Sequence, residues 1–173
     1  MERLDFSADT AYNATEAAIH LNRYAMAKPF CKGATVLDAA CGEGYGSYLM
    51  KSWGAKNVEG IDISSDAIAF AKNQFKSEGL QYSLHTVEIL PFEDNYFDLV
   101  VSLETMEHLE NPELFLKEIK RVVKPDGVVI LSCPNDNYYF EKDKIKNPFH
   151  KQAYTFFEFH PNDTVNHNRY LCD

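Results

Sequence analysis

The feature that most constrains this chain is the run VLDAACGEGYG at residues 36–46. Apolar residues lead into Gly42 and Gly44, and a helix-compatible stretch follows. Strand, glycine turn and helix therefore succeed one another. Glycines let a backbone turn tightly and let a ligand come close to it. In open α/β sheets, ligands bind beyond the carboxyl ends of the strands, where this turn would stand. Asp38 closes the strand and can accept hydrogen bonds from the turn or from a ligand ammonium. About twenty residues further on, Asp62 closes a second strand, where a carboxylate can grip both hydroxyls of a ribose. A strand–helix turn with a purely structural role is the plain alternative.

The rest of the pattern agrees with an α/β fold. An Ala-rich segment over residues 10–28 predicts a helix that ends before Pro29. Short apolar runs predict buried strands at 34–39, 58–63, 97–102 and 128–133, and alternation predicts another at 81–86. Between them, 47–53 and 65–76 read as helices. Asn111 and Pro112 open a helix whose apolar face is Leu114, Phe115, Ile119, Val122 and Val123. A turn is expected at 125–127. Apolar strands alternating with helices imply a mostly parallel sheet covered on both faces.

The 173 residues suit one domain, divided into an N-terminal helix (1–30), an α/β core (34–135) and an irregular C-terminal segment (136–173). The net charge of −9 argues against a general nucleic-acid binder, since neutralising phosphates needs clustered Lys and Arg. The start, MERLDFSADT, lacks the apolar core of a signal peptide, and no apolar run is long enough for a bilayer. Cysteines 31, 41, 133 and 172 form no CxxC pair and read as reduced thiols, so a cytoplasmic location is expected.

VLDAACGEGYGS resembles the first motif of the class I S-adenosylmethionine (SAM)-dependent methyltransferases, of the type 11/12 kind. The order D-x-A-C-G-x-G separates it from the G-x-G-x-x-G of dinucleotide enzymes. GIDIS (60–64), ILPFEDNYFDLVVS (89–102) and LKEIKRVVKPDGVVILSCPN (116–135) resemble the family's later motifs. The resemblance implies a Rossmann-like sheet and SAM as cofactor. It implies that Asp62 holds the ribose, Ile63 packs on the adenine, and the backbone at Ala40, Cys41 and Gly42 lines the methionine end. Asp38, Ala39, Gly44, Val87, Glu88 and Ser102 complete the implied cofactor set. Two positions depart from the family. Ala40 replaces a customary Gly, so it must have negative φ or carry strain. Thr86 replaces an Asp that often reads the adenine amine. IHLNRY (19–24) resembles methyltransferases of bacterial polysaccharide gene clusters, whose N-terminal helix caps the cofactor. His20, Arg23 and Tyr24 are then candidate contacts, with Arg23 able to pair with the SAM carboxylate. An ordinary amphipathic helix with a solvated Arg is the alternative.

Glu104, Glu107 and His108 in SLETMEHLENP are spaced i, i+3, i+4. On a helix they would share one face. Two carboxylates and an imidazole can bind a divalent cation such as Mg²⁺ or Mn²⁺, which could activate an acceptor hydroxyl. ExxEH resembles the ubiquinone-biosynthesis O-methyltransferases and the small-RNA 2′-O-methyltransferases, and the resemblance adds His150 as a fourth ligand. His108 as a metal-free general base, with Glu104 beside it, and a solvated acidic helix start are the alternatives. The favoured acceptor is a small-molecule or sugar hydroxyl. An RNA 3′ terminus and a non-catalytic SAM-binding remnant are the rivals.

The family's sheet has seven strands, the last two an antiparallel pair. By that comparison this chain is expected to lack about fifty residues and the last two strands, as a truncated, naturally short or damaged version would. The run 128–133 is then expected to be an open apolar edge that drives self-association, such as a homodimer.

Overall fold

In the computed structural model, residues 14–134, 151 and 169–172 are described. The short apolar runs and the alternating segment between them form β1 (Thr35–Ala39), β2 (Asn57–Asp62), β3 (Leu80–Leu84), β4 (Phe97–Leu103) and β5 (Val123–Cys133). They join β6 (Arg169–Cys172) in a six-stranded sheet of order β3-β2-β1-β4-β5-β6. Every neighbouring pair is parallel. The chain runs outward from β1 to β3, then returns to lay β4 on β1's other side. The carboxyl ends of β1 and β4 thus flank the point where strand order reverses, the usual place for a ligand.

Alternate residues serve opposite faces, as the pleat requires. Val36, Val58, Leu99, Val101 and Ile130 pack with Tyr24, Cys31 and Met50 on one side. Leu37, Ile61, Val100, Val129 and Leu131 pack with Phe115, Ile119 and Val122 on the other. The helices are α1 (Ala14–Ala25), α2 (Lys28–Cys31), α3 (Tyr45–Ser52), α4 (Ser65–Gln74) and α5 (Pro112–Val122). Ser64 caps α4, its hydroxyl accepting from Ala67 N at 3.3 Å. Among the described residues no helix is long and apolar enough to cross a membrane.

Four expectations need correction. The N-terminal helix ends at Ala25, and Pro29 opens the separate α2 instead of following a single helix. Proline suits that first turn because its missing N–H would have no helical partner there. Leu114 is 47% exposed and stands apart from the buried face of Phe115, Ile119 and Val122. Residues 125–127 lie inside β5, whose register jumps from Phe97↔Val123 to Leu99↔Val128. The fourth correction concerns the edge. β5 is not open, because β6 pairs along it from Ile130↔Arg169 to Cys133↔Cys172. The backbone groups that were to recruit another chain are satisfied within this one, which removes the edge argument for self-association.

Gly46, in the first turn of α3, shows how closely α1 is seated. A Cβ there would lie 2.0 Å from Cζ of Tyr24. Gly46→Ala is expected to push α1 off the core and cost about 1–3 kcal/mol by overpacking. Urea denaturation would measure it, and an unchanged midpoint would refute the packing.

Candidate functional site

The turn after β1 is built on three left-handed residues: Ala40 (φ 67°), Gly42 (φ 54°) and Gly44 (φ 85°). Ala40 is therefore the strained case of the two the sequence allowed, since a Cβ disfavours this region. At Gly44 a side chain is doubly excluded. Its Cβ would lie 2.6 Å from the Tyr82 ring, and its carbonyl accepts from the Tyr82 hydroxyl at 2.9 Å. Asp62, at the end of β2, holds the turn from the other side. Its Oδ2 accepts from Gly42 N at 2.9 Å and its Oδ1 from Ser64 N at 2.8 Å. A carboxylate offers about four lone-pair sites, so both oxygens keep capacity for another donor.

These segments wall a cavity of about 510 Å³ at the carboxyl ends of β1, β2 and β4. Of the expected cofactor residues, Tyr24, Ala40, Cys41, Gly42, Asp62, Ile63, Thr86, Val87 and Glu88 line it, as does His20. Ile63 is 64% exposed although apolar. Thr86 lies beyond β3, and its Oγ1 accepts from Glu88 N at 3.2 Å. Burial pushes the Cys41 thiol well up, so it is a poor nucleophile.

The remaining candidates stand behind this wall. Ala39 is buried, and its carbonyl accepts from Ser102 Oγ at 2.7 Å. Asp38 is fully buried and accepts from Ser47 Oγ at 2.6 Å and from the Tyr24 hydroxyl at 3.1 Å. Its carboxylate thus serves the seat of α1 and not the lining. Arg23 is also buried, 3.4 Å from Glu104 Oε2, which corrects the solvated-arginine alternative.

The Glu104, Glu107 and His108 cluster does not take the expected form. The segment is a single 3-10 turn, Met106–His108, preceded by Glu104 with φ 50°. The three side chains therefore do not share one helical face. Glu104 is held by Arg23 and by Ser132, whose Oγ donates to Oε1 at 2.7 Å. Glu107 is buried, with Oε1 3.9 Å from His108 Nε2. No group of three or more potential metal-binding side chains occurs among the described residues. The expected metal set of Glu104, Glu107 and His108 is thus not assembled, and His150 lies outside the described residues. Glu104 and His108 do line the cavity.

The sequence reading missed Glu43, Tyr45, His85, Leu103, Thr105, Leu109, Glu110 and Lys151 among the lining residues. His85 was accessible to it, being one residue before Thr86 at a strand's carboxyl end. Lys151 carried no local signal. It is brought in by a bond from its N to Glu107 O at 2.7 Å, and its Nζ lies 2.7 Å from Glu110 Oε1.

Residues 37–131 match the family described as "Methyltransferase domain". The chain is 34% identical over 121 residues to a probable S-adenosylmethionine-dependent methyltransferase of Mycolicibacterium smegmatis, covering 69% of this chain and 46% of that protein. It is 34% identical over 109 residues to the ubiquinone biosynthesis O-methyltransferase of Coxiella burnetii, covering 62% and 46%. The crystal structure of a Pyrococcus horikoshii protein superposes with a TM-score of 0.66 at 30% identity, covering 81% of this chain and 68% of that one. The chain spans about half the length of the curated relatives it matches.

The buried Asp38 has a measurable consequence. Loss of hydration pushes its carboxyl up to about 7, despite the opposing hydrogen bonds from Ser47 and Tyr24. In an unfolded chain the group titrates near 3.9. Between those values the folded state holds the extra proton, so stability falls as pH rises from about 4 through about 7. Asp38→Asn is expected to flatten that fall, by on the order of a few kcal/mol across the window. Denaturation of both proteins from pH 4 to 8 checks it, and parallel curves would refute it.

Proposed function

The chain belongs to the methyltransferase-domain family, and on that premise we propose that it transfers a methyl group from SAM to a hydroxyl of a small-molecule or sugar acceptor. The observation that carries the reading is the cavity at the strand ends, with Asp62 anchored at its wall and Ile63 exposed within it. These residues fit the cofactor. Asp62 keeps acceptor capacity for the ribose hydroxyls, Ile63 offers an apolar face to the adenine, and a Cβ at Gly42 would meet nothing within 4 Å. SAM would supply a methyl group activated by its sulfonium. The protein's part is then to orient and to accept the acceptor's proton.

His108 suits that second task. It lines the cavity, with the Glu107 carboxylate close enough to favour one ring orientation. Glu104, tied to Arg23, suits positioning better than proton transfer. Among the described residues, the acidic Glu43, Asp62, Glu88, Glu104 and Glu110 line the cavity against one lysine, Lys151. That balance disfavours a polyanion such as an RNA terminus. A metal-free mechanism is the reading we favour, because the Glu104 carboxylate is already held by Arg23 and Ser132. We assign the activity to the cytoplasm, where buried thiols such as Cys31 and Cys41 stay reduced.

Calorimetry with SAM is the direct test. Asp62→Asn is expected to weaken binding by about 2–3 kcal/mol, because a charged acceptor is lost. Alanine is the poorer probe, since it would also strand the Gly42 and Ser64 amides. Unchanged affinity would remove Asp62 from the cofactor site.

Turnover tests the base. With an acceptor in hand, His108→Ala should lower kcat by about 10²–10⁴-fold while SAM affinity stays near wild type. Activity should survive excess EDTA. Loss of activity in EDTA with recovery on adding Mn²⁺ would reinstate the metal reading.

A further inference from the structure

Outside the cavity lining, Arg121 on α5 uses all five of its N–H donors. Nε donates to Glu118 Oε1 at 2.8 Å, and Nη1 to Phe92 O at 2.7 Å and Asp94 Oδ1 at 2.9 Å. Nη2 donates to Leu90 O at 2.9 Å and Glu118 Oε2 at 2.7 Å. Glu118 Oε2 also accepts from Leu90 N at 2.7 Å. The backbone of Leu90 is therefore gripped on both its N–H and its C=O by one ion pair. Leu90 itself is buried, and residues 86–88, just before it, wall the cavity. A third link runs from Asn111 N, at the start of α5, to Glu88 Oε1 at 3.3 Å.

We propose that Arg121 is a positioning residue for the cofactor site, which with Glu118 clamps the segment 90–94 and so fixes the wall at 86–88. The inference rests on reading that wall as the adenosine side of a SAM site. The physical reason is preorganisation. The segment between β3 and β4 has few ladder bonds of its own, and an unanchored wall would have to be ordered by the ligand at the expense of affinity. A lysine cannot replace the guanidinium, because its three donors radiate from one point and cannot reach Glu118, Leu90 and Phe92 together. α5 also follows directly on Leu109 and Glu110, which line the cavity too. The same helix therefore ties both stretches of lining to the core.

The test uses Arg121→Ala and, should that fold poorly, Arg121→Lys. Binding of SAM and of 5′-methylthioadenosine, which keeps the adenosine but lacks the amino acid, is measured by calorimetry. Both ligands should weaken by the same factor, on the order of tenfold, because the affected wall meets the part they share. Low-millimolar guanidinium should restore binding to Arg121→Ala. Ile119→Val, a buried change on the same helix, should destabilise the fold yet leave both affinities unchanged. Hydrogen exchange provides a ligand-free readout: amides at 86–90 should exchange faster in the arginine variants. Unaltered exchange there, or an equal loss of affinity in Ile119→Val, would overturn the clamp. If the wild type bound neither ligand while exchange at 86–90 still rose in the variants, the SAM reading would fail and the clamp would stand.

Discussion

The carboxylate of Asp62 joins the two strand–helix turns on which the cavity depends. One oxygen fixes the amide of Gly42 in the turn after β1, and the other fixes Ser64 at the cap of α4. That bridge, with the Tyr82 hydroxyl on Gly44 O and the Cys41 amide on Ile61 O, holds a turn with three left-handed residues, because such conformations persist only when their surroundings over-determine them. The bridge is also why the residue read as a ribose ligand cannot be removed without disturbing the loop. Structural support and the ribose recognition proposed for Asp62 would be carried by the same two atoms.

A second buried carboxylate sets the position of the N-terminal helix. Asp38 lies under the floor of the cavity and accepts from Tyr24 of α1 and Ser47 of α3. Burying this group disfavours its charge, and the two hydroxyls offset part of that cost. The Tyr24 ring fills the space over Gly46, so α1 is located by a shape and a hydrogen bond together. Arg23, the neighbouring residue, reaches Glu104 at the end of β4. Consecutive side chains of one helix thus bind a carboxylate within β1 and another just after β4, bringing His20 and Tyr24 to the cavity.

Much of this was legible in the chain. β1, β2, β4 and β5 showed as apolar runs, because a parallel strand covered on both faces has few polar positions, and the half-exposed β3 showed as alternation. Gly42, Gly44 and Asp62 were legible because the chemistry of the turn restricts which residues can stand there. The reading failed where spacing was taken for geometry. Glu104, Glu107 and His108 have helical spacing, but the backbone leaves β4 through a left-handed residue and forms only a 3-10 turn. Asp38 was read as a possible ligand group, because nothing in its neighbours announces that Tyr24, fourteen residues earlier, will cover it.

The sequence by itself determined the order of β1 to β5 and of the helices between them, the glycine turn and the acid that faces it. These follow from local backbone sterics and from the periodicity of apolar side chains, both of which act between near neighbours. Only the tertiary structure decided which carboxylates face the cavity and which are spent inside the protein. It also decided that β6 covers the edge of β5, and that Lys151 reaches a site assembled around residues 40–110. The physical reason is distance along the chain. Hydrogen bonds and ion pairs between remote segments depend on where the folded backbone places them, and no local pattern encodes that placement.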